Sequence, residues 1–392
     1  MMRPAVLFAL AGMLSACSAA PQAQSGARPA VALSQPTDPL TMEEQRTLLL
    51  WDRSLRRERF AAMEDHYVGL VAQPAGEVRD LQPGAPLDPS LSARIDSYME
   101  GTGAVGALVI QNAQVRYRRV APDIAADARW TSFSVAKSFT STLLGAALAD
   151  GSIASLDDPV TRYLPGLVGS AYDDVTVEQL ATMTSGVAWN EDYSDITSDV
   201  VQSLLVEPVP GEPQTVTYMK KLDRADPPGE RWVYKTGETN LLGTLVEGAT
   251  GEPLAAYAKR KIVDPAGFAG PLFWMLDPSG DNIGGCCISL ALDDYGRFGQ
   301  FVLEGGKGSV APGWFAQAGA AQVAFSPTSG YGYQWWNDGA GYSARGIFGQ
   351  SIAILPEHDA VVVILSNWPG PSSGDLVRAR SELVAAIAEG LD

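Results

Sequence analysis

The stretch WTSFSVAKSFTSTLLGAAL, residues 130–148, sets Ser134 and Lys137 three positions apart at the head of an apolar run of small side chains. On a helix, residues i and i+3 share a face, so the Lys137 ammonium can fold back on the Ser134 hydroxyl one turn earlier. If Ser134 opens that helix, its own backbone N–H has no partner in the first turn and can donate to a developing oxyanion. Phe133, Val135, Ala136 and Phe139 surround the pair with apolar material. A lysine base needs such burial: lowering its reference pKa of about 10.4 by about three units takes about 4 kcal/mol of destabilisation of the ammonium. Alone, the tetrad Ser-x-x-Lys also describes an N-capping serine and a solvated lysine, so its surroundings decide.

Upstream, DPSLSARIDSYMEGTG (88–103) carries an N-cap signal and a helical period. Two strand-like runs follow, AVGALVIQ (104–111) and VRYRRVA (115–121), across a polar turn. From about residue 140 to 300 the pattern is mostly helical and loop-rich. Strands return in YGYQWW (331–336), ARGIFGQSIAIL (344–355) and AVVVILSNW (360–368), the last two joined by the turn PEHD, before a closing helix from Asp375. Strands at both ends with helices between predict an α+β fold, with one antiparallel sheet built from both termini and a helical subdomain inserted in the middle. This body is expected over residues 86–392.

The residues before it read differently. MMRPAVLFALAGMLSAC (1–17) has Arg3, a short apolar segment and small residues before Cys17, which is an export signal ending in a lipobox-like LSAC. The expectation is a signal peptide over 1–16, a lipidated Cys17, and a periplasmic, outer-membrane-anchored protein. Residues 17–40, rich in Pro, Ala, Gln and Ser, are expected to be a flexible tether. TMEEQRTLLLWDRSLRRERFAAMEDHY (41–67) has helical spacing and opens an N-terminal helical extension over 41–85, packing through Leu48, Leu49 and Phe60.

Composition prunes the chemistry. Across 392 residues the net charge is -17, which argues against nucleic acid. The chain has two histidines, His66 near the end of the first helical segment and His358 in a tight turn, so a Ser-His-Asp mechanism and histidine-rich metal sites lose plausibility. Cys286 and Cys287 are neighbours. Standard disulfide geometry does not fit one peptide link, and the two read as small buried hydrophobes. What remains to activate a serine is an amine or a phenolate.

Around that pair the sequence resembles the penicillin-recognising serine hydrolases, in the branch of class C β-lactamases, esterases of the same fold and 6-aminohexanoate-dimer hydrolases. The matching pieces occur in family order: SFSVAKSFTSTLLGAAL, LDDPVTRYLP, VTVEQLATMTSGVAWNEDY, PPGERWVYKTGETNLLG, GGCCISLALDDYGRFGQ and ARGIFGQSIAILPE. The resemblance implies a β-lactamase/transpeptidase-like fold. It makes Ser134 the acylated nucleophile, Lys137 its base or proton partner, and Tyr234 the tyrosine of the Y-x-N motif. It leaves open which of Lys137 and Tyr234 takes the serine proton. It also makes Ala344–Ile347 the strand end that completes the oxyanion hole, with Gly346 allowing close approach and the Ile347 N–H as second donor beside that of Ser134. Two departures weaken the β-lactamase reading: Thr236 stands where the motif has Asn, and no Lys or His occupies the K-T-G position, although Arg345 could offer charge. By the same resemblance Trp189, Tyr193 and Trp336 wall the pocket. Glu191, Asp192 and Asp195 are either part of that wall, suiting a substrate with a free amine, or a solvated loop.

The reading is a serine hydrolase of small esters or amides that works through an acyl-enzyme on Ser134 and needs no metal or organic cofactor. Its partners are the small-molecule substrate and, through Cys17, a membrane; no oligomeric state is implied. The competing readings are a β-lactamase or D-Ala-D-Ala carboxypeptidase and a non-catalytic cell-envelope binding protein of the same fold.

Overall fold

The computed structural model describes residues 31–391; the signal segment, Cys17 and the first part of the tether lie outside them. Among the described residues the larger sheet has eight strands, all antiparallel. They run in the order Gln114–Val120, Ala104–Gln111, Ala360–Ser366, Ser351–Leu355, Tyr342–Arg345, Trp336–Asn337, Ser329–Tyr331, Val323–Ser326. The join between chain ends is the pairing of Ala104–Gln111 with Ala360–Ser366, as the alternation of strand-like runs at both ends requires. Both strands are buried along their whole length, because helices cover both faces. Pro89–Thr102 and Gly374–Glu389 pack on one face through Leu91, Ile95, Leu383 and Ile387, which meet Val109, Val362 and Ile364. Leu292–Leu303 and Ala136–Ala149 pack on the other face, where the Phe139 and Phe298 rings stack at 3.7 Å.

Local signals account for the element ends. Asp88 caps Pro89–Thr102 by accepting from Ser90 N, and Gly103 closes the helix in the left-handed region. The hairpin after it turns through Asn112 and Ala113, both at positive φ.

Three expectations need correction. Residues 41–67 are not one helix: Met42–Arg46 and Arg53–Arg59 are separate, because Asp52 starts a new helix by accepting from Ser54 N and Leu55 N. Nor are the tether and the extension purely coil and helix. Val31–Ser34 and Gly69–Ala72 are strands of a second, five-stranded antiparallel sheet completed by Leu272–Met275, Ile288–Leu290 and Trp130–Thr131, which also interrupts the inserted helical region. Short strands of four residues carry too little periodicity to be read. Third, neither YGYQWW nor ARGIFGQSIAIL is one strand: Tyr331 ends the strand Ser329–Tyr331 and Trp336 begins its antiparallel neighbour Trp336–Asn337, the chain turning between them through residues 332–335. Tyr342–Arg345 and Ser351–Leu355 are antiparallel neighbours, with Arg345 opposite Ser351, and the chain reverses through Gly346–Gln350. Phe348 and Gly349 make that reversal at positive φ.

Candidate active site

Ser134 lies in the single 3-10 turn Phe133–Val135 that leads into the helix Ala136–Ala149. The first bond of that turn is donated by Val135 N to Ser132 O, so the Ser134 N–H precedes the intrahelical ladder. The helix is buried on all sides from Ala136 to Ala147, in a run of small and apolar residues in which Lys137 is the one charged side chain. Its hydroxyls turn to local acceptors: Ser138 Oγ to Gln334 O, Thr140 Oγ1 to Gly284 O and Thr142 Oγ1 to Ser138 O.

Lys137 is 2% exposed. Its Nζ donates to Thr236 Oγ1 at 3.0 Å and, at 3.4 Å, to Gly285 O, and it lies 5.3 Å from the centre of the Tyr234 ring. Gly285 leaves room for that amine: a Cβ there would come within 2.8 Å of Nζ and 2.9 Å of Asn240 Oδ1, so both side chains would have to shift. Burial pulls the Lys137 amine down to about 8, partly opposed by the charge of Glu191. Tyr234 lies beside the Ser134 side chain, and burial together with the Glu191 charge holds its phenol well above the ordinary tyrosine range. The amine is therefore the group nearer to losing its proton at physiological pH, and the phenol keeps its own.

Glu191 is placed in the site, whereas Asp192 and Asp195 close turns within their own loop on Ser194 and Thr197. The Glu191 carboxylate accepts from Thr236 N at 2.9 Å and from Tyr193 OH at 2.7 Å. It also accepts from the Thr236 hydroxyl and the Trp189 indole. An unbroken donor chain runs from Lys137 through Thr236 to Glu191. Trp189 and Tyr193 are thus both held by the Glu191 carboxylate. Trp336 stacks on Tyr234 at 5.7 Å within a wall that includes Trp232, Tyr331 and Phe325.

Across the site, a Cβ on Gly346 would lie 2.6 Å from Ser132 O, so the strand end that carries Ile347 comes against the backbone leading to Ser134. Ala344 is buried in the same core as that backbone. Arg345, alternating to the other face, donates to Ser343 Oγ and pairs with Asp338 while lying over the Trp336 ring at 5.5 Å. Its charge is taken up by a carboxylate and does not replace the missing Lys or His. Cys286 and Cys287 are joined as a vicinal disulfide across a cis peptide bond, correcting the expectation of two unbridged thiols. His66 is held on Asp38 O at 2.8 Å, and His358 lies in the turn Pro356–His358.

One buried cluster escaped the sequence reading. Lys235 (1% exposed) and Glu238 (0% exposed) are paired at 3.2 Å, with Ser185 Oγ accepting from Lys235 Nζ and donating to Glu238. The Lys-x-x-Glu spacing was its one signal, and that spacing is ordinary on exposed helices.

The sequence profile of a family described as Beta-lactamase matches residues 91–387. A 6-aminohexanoate-dimer hydrolase of Paenarthrobacter ureafaciens is 29% identical over 362 residues, covering 81% of this chain and 88% of its own. Esterase EstB of Burkholderia gladioli is 27% identical over 212 residues, 48% of this chain and 53% of its own. A solved structure from Bacillus anthracis, described as that of a candidate 6-aminohexanoate-dimer hydrolase, superimposes with a TM-score of 0.76 at 19% identity, covering 86% of this chain and 94% of that one.

Proposed function

The chain belongs to the Beta-lactamase family, and on that premise we propose that it is a serine hydrolase that cleaves a small ester or amide through an acyl-enzyme on Ser134. The observation that carries the reading is the Lys137 amine, fully buried one turn after Ser134, beneath the Tyr234 ring, and held at about 8. At that value about one molecule in ten carries the neutral amine at pH 7, against about 4 in 10,000 for a free lysine.

In this reading Lys137 takes the Ser134 proton as Oγ bonds to the substrate carbonyl carbon. The N–H groups of Ser134 and Ile347 receive the oxyanion. Tyr234, a protonated phenol beside Ser134, hands a proton to the departing alkoxide or amine and is recharged from the Lys137 ammonium. Water, deprotonated by the same pair, then cleaves the acyl-enzyme. The relatives named as a hydrolase of a 6-aminohexanoate dimer and as an esterase support that substrate class. The Glu191 carboxylate and the engagement of Arg345 by Asp338 speak against a carboxylate-bearing β-lactam. Cys17 is the proposed lipid anchor of an exported protein, and Cys17→Ser should move it from the membrane to the soluble fraction.

The test is turnover of p-nitrophenyl butyrate, a linear aminohexanoate dimer and nitrocefin by the parent and by Ser134→Ala. Ester or linear-amide turnover that falls by about 10³-fold or more in the variant is expected, with little nitrocefin turnover. Rapid nitrocefin turnover would make the β-lactamase reading the better one, and fluorophosphonate labelling that survives Ser134→Ala would remove the nucleophile.

A further inference from the structure

We propose that the amino-terminal helix Arg53–Arg59 and the Phe60 that ends it, which lie outside the family-matched residues 91–387, form part of the catalytic apparatus. In this proposal Phe60 and Arg56 are positioning residues that hold the two oxyanion donors at their working separation. The inference rests on the acyl-enzyme reading above.

The two donors stand on different segments, and each is flanked by a phenylalanine in the left-handed region: Phe133 (φ 43°) immediately before Ser134 and Phe348 (φ 58°) immediately after Ile347. A side chain with a Cβ keeps that conformation only where its surroundings hold it there. Here the surroundings come from the amino-terminal segment. The Phe133 and Phe348 rings are 5.3 Å apart, and the Phe60 ring packs on both, at 4.9 Å and 5.3 Å. Phe60 O accepts from Thr131 N at 2.9 Å, which ties the same residue to the strand Trp130–Thr131 that feeds Phe133.

Arg56, one helical turn before Phe60, lies over the other side of the junction. Its guanidinium is 4.5 Å from the centre of the Phe348 ring and donates to Trp368 O at 3.1 Å and Pro369 O at 2.9 Å. The Phe348 backbone is held by the same loop, donating to Pro371 O and accepting from Trp368 N. Arg53 fastens the start of the helix to that loop through reciprocal bonds with Asn367. One short helix therefore grips the ring of each strained residue and the loop that holds the second. A segment that only covered apolar surface would have no need to touch both halves of the hole.

The experiment uses the full chain carrying Phe60→Leu or Arg56→Lys, beside the parent and Ser134→Ala. The kcat for p-nitrophenyl butyrate is measured per active site, counted with a fluorophosphonate. Affinity for a trifluoromethyl ketone, whose hemiketal oxygen occupies the hole, is measured in parallel. The expected result is a fall in kcat per site of about tenfold to a hundredfold, short of the 10²–10³ that removal of a whole donor brings. KM should stay within about threefold, and ketone affinity should fall by the same factor as kcat, because both report transition-state binding. Unchanged kcat per site and ketone affinity, with only fewer titratable sites, would overturn the proposal and leave the segment a structural cover. Activity surviving in Ser134→Ala would instead remove the acyl-enzyme reading on which it rests. Should Phe60→Leu fail to fold, Arg56→Lys decides alone, since it keeps the charge while losing the planar fork that stacks and donates to two carbonyls.

Discussion

Lys137 has to be buried to work as a base, and that burial opposes folding. Its amine falls from the ordinary 10.5 to about 8 in the folded protein. Between those values the unfolded chain binds the proton more tightly, so this residue makes the fold more stable as pH rises from about 8 to 10.5 and costs stability below that window. Lys137→Met should therefore abolish turnover and stabilise the protein at pH 7 by up to about 3 kcal/mol, a gain that urea denaturation should find shrinking toward pH 10.5. For catalysis the sign is the same: kcat/KM should climb with pH through about 8 as the neutral amine appears. Glu191 opposes that by raising the amine, and Glu191→Gln should move the midpoint of the climb to lower pH. An unmoved midpoint in that variant would mean that the titrating group is not Lys137.

The helix Thr236–Thr250 and the strand end Tyr342–Arg345 show where sequence reading succeeds and where it stops. Ser134, Lys137 and Tyr234 were legible because each lies in a run whose spacing and order are specific, and the structure brings the three together. Glu191 was left between two meanings, since one acidic letter in a loop does not say which way its carboxylate turns; its role comes from Thr236 N and Oγ1, contacts made across 45 residues. The Lys235–Glu238 pair was invisible for a related reason: burial of a charge pair is set by what packs over it, here Tyr172 and the Ser185 turn. That pair locks the first turn of Thr236–Thr250 to the segment leading to Trp189, so breaking it should be felt. Glu238→Ala is expected to cost about 3–5 kcal/mol by leaving an ammonium buried alone, whereas Lys235→Met with Glu238→Leu should recover most of the loss. Chemical denaturation of Lys235→Met, Glu238→Leu and the variant carrying both gives the coupling directly.

Across the molecule, the eight-stranded sheet separates two jobs. The sheet from both chain ends was legible because strands seven and eight residues long, Ala104–Gln111, Gln114–Val120 and Ala360–Ser366, carry enough pattern to read. The five-stranded sheet was not, because its strands of two to four residues acquire their pairing only from the assembled fold. On one face lie Leu292–Leu303 and Ala136–Ala149, the helix into which Ser134 leads; on the other, Pro89–Thr102 and Gly374–Glu389 close a separate apolar cluster around Leu383 and Ile387. Damage to the second face should reach stability without reaching the chemistry, for the central strands are buried on both sides and paired along their length. Leu383→Ala, at a residue 2% exposed, should lower unfolding free energy by about 2–5 kcal/mol. Well below the melting transition it should leave kcat per titrated site within about twofold of the parent, since the substituted methyls are separated from the site by a hydrogen-bonded layer that does not deform continuously. A loss of kcat per site as large as that expected for Phe60→Leu would show that strain crosses the sheet, and the division of labour between its faces would fail.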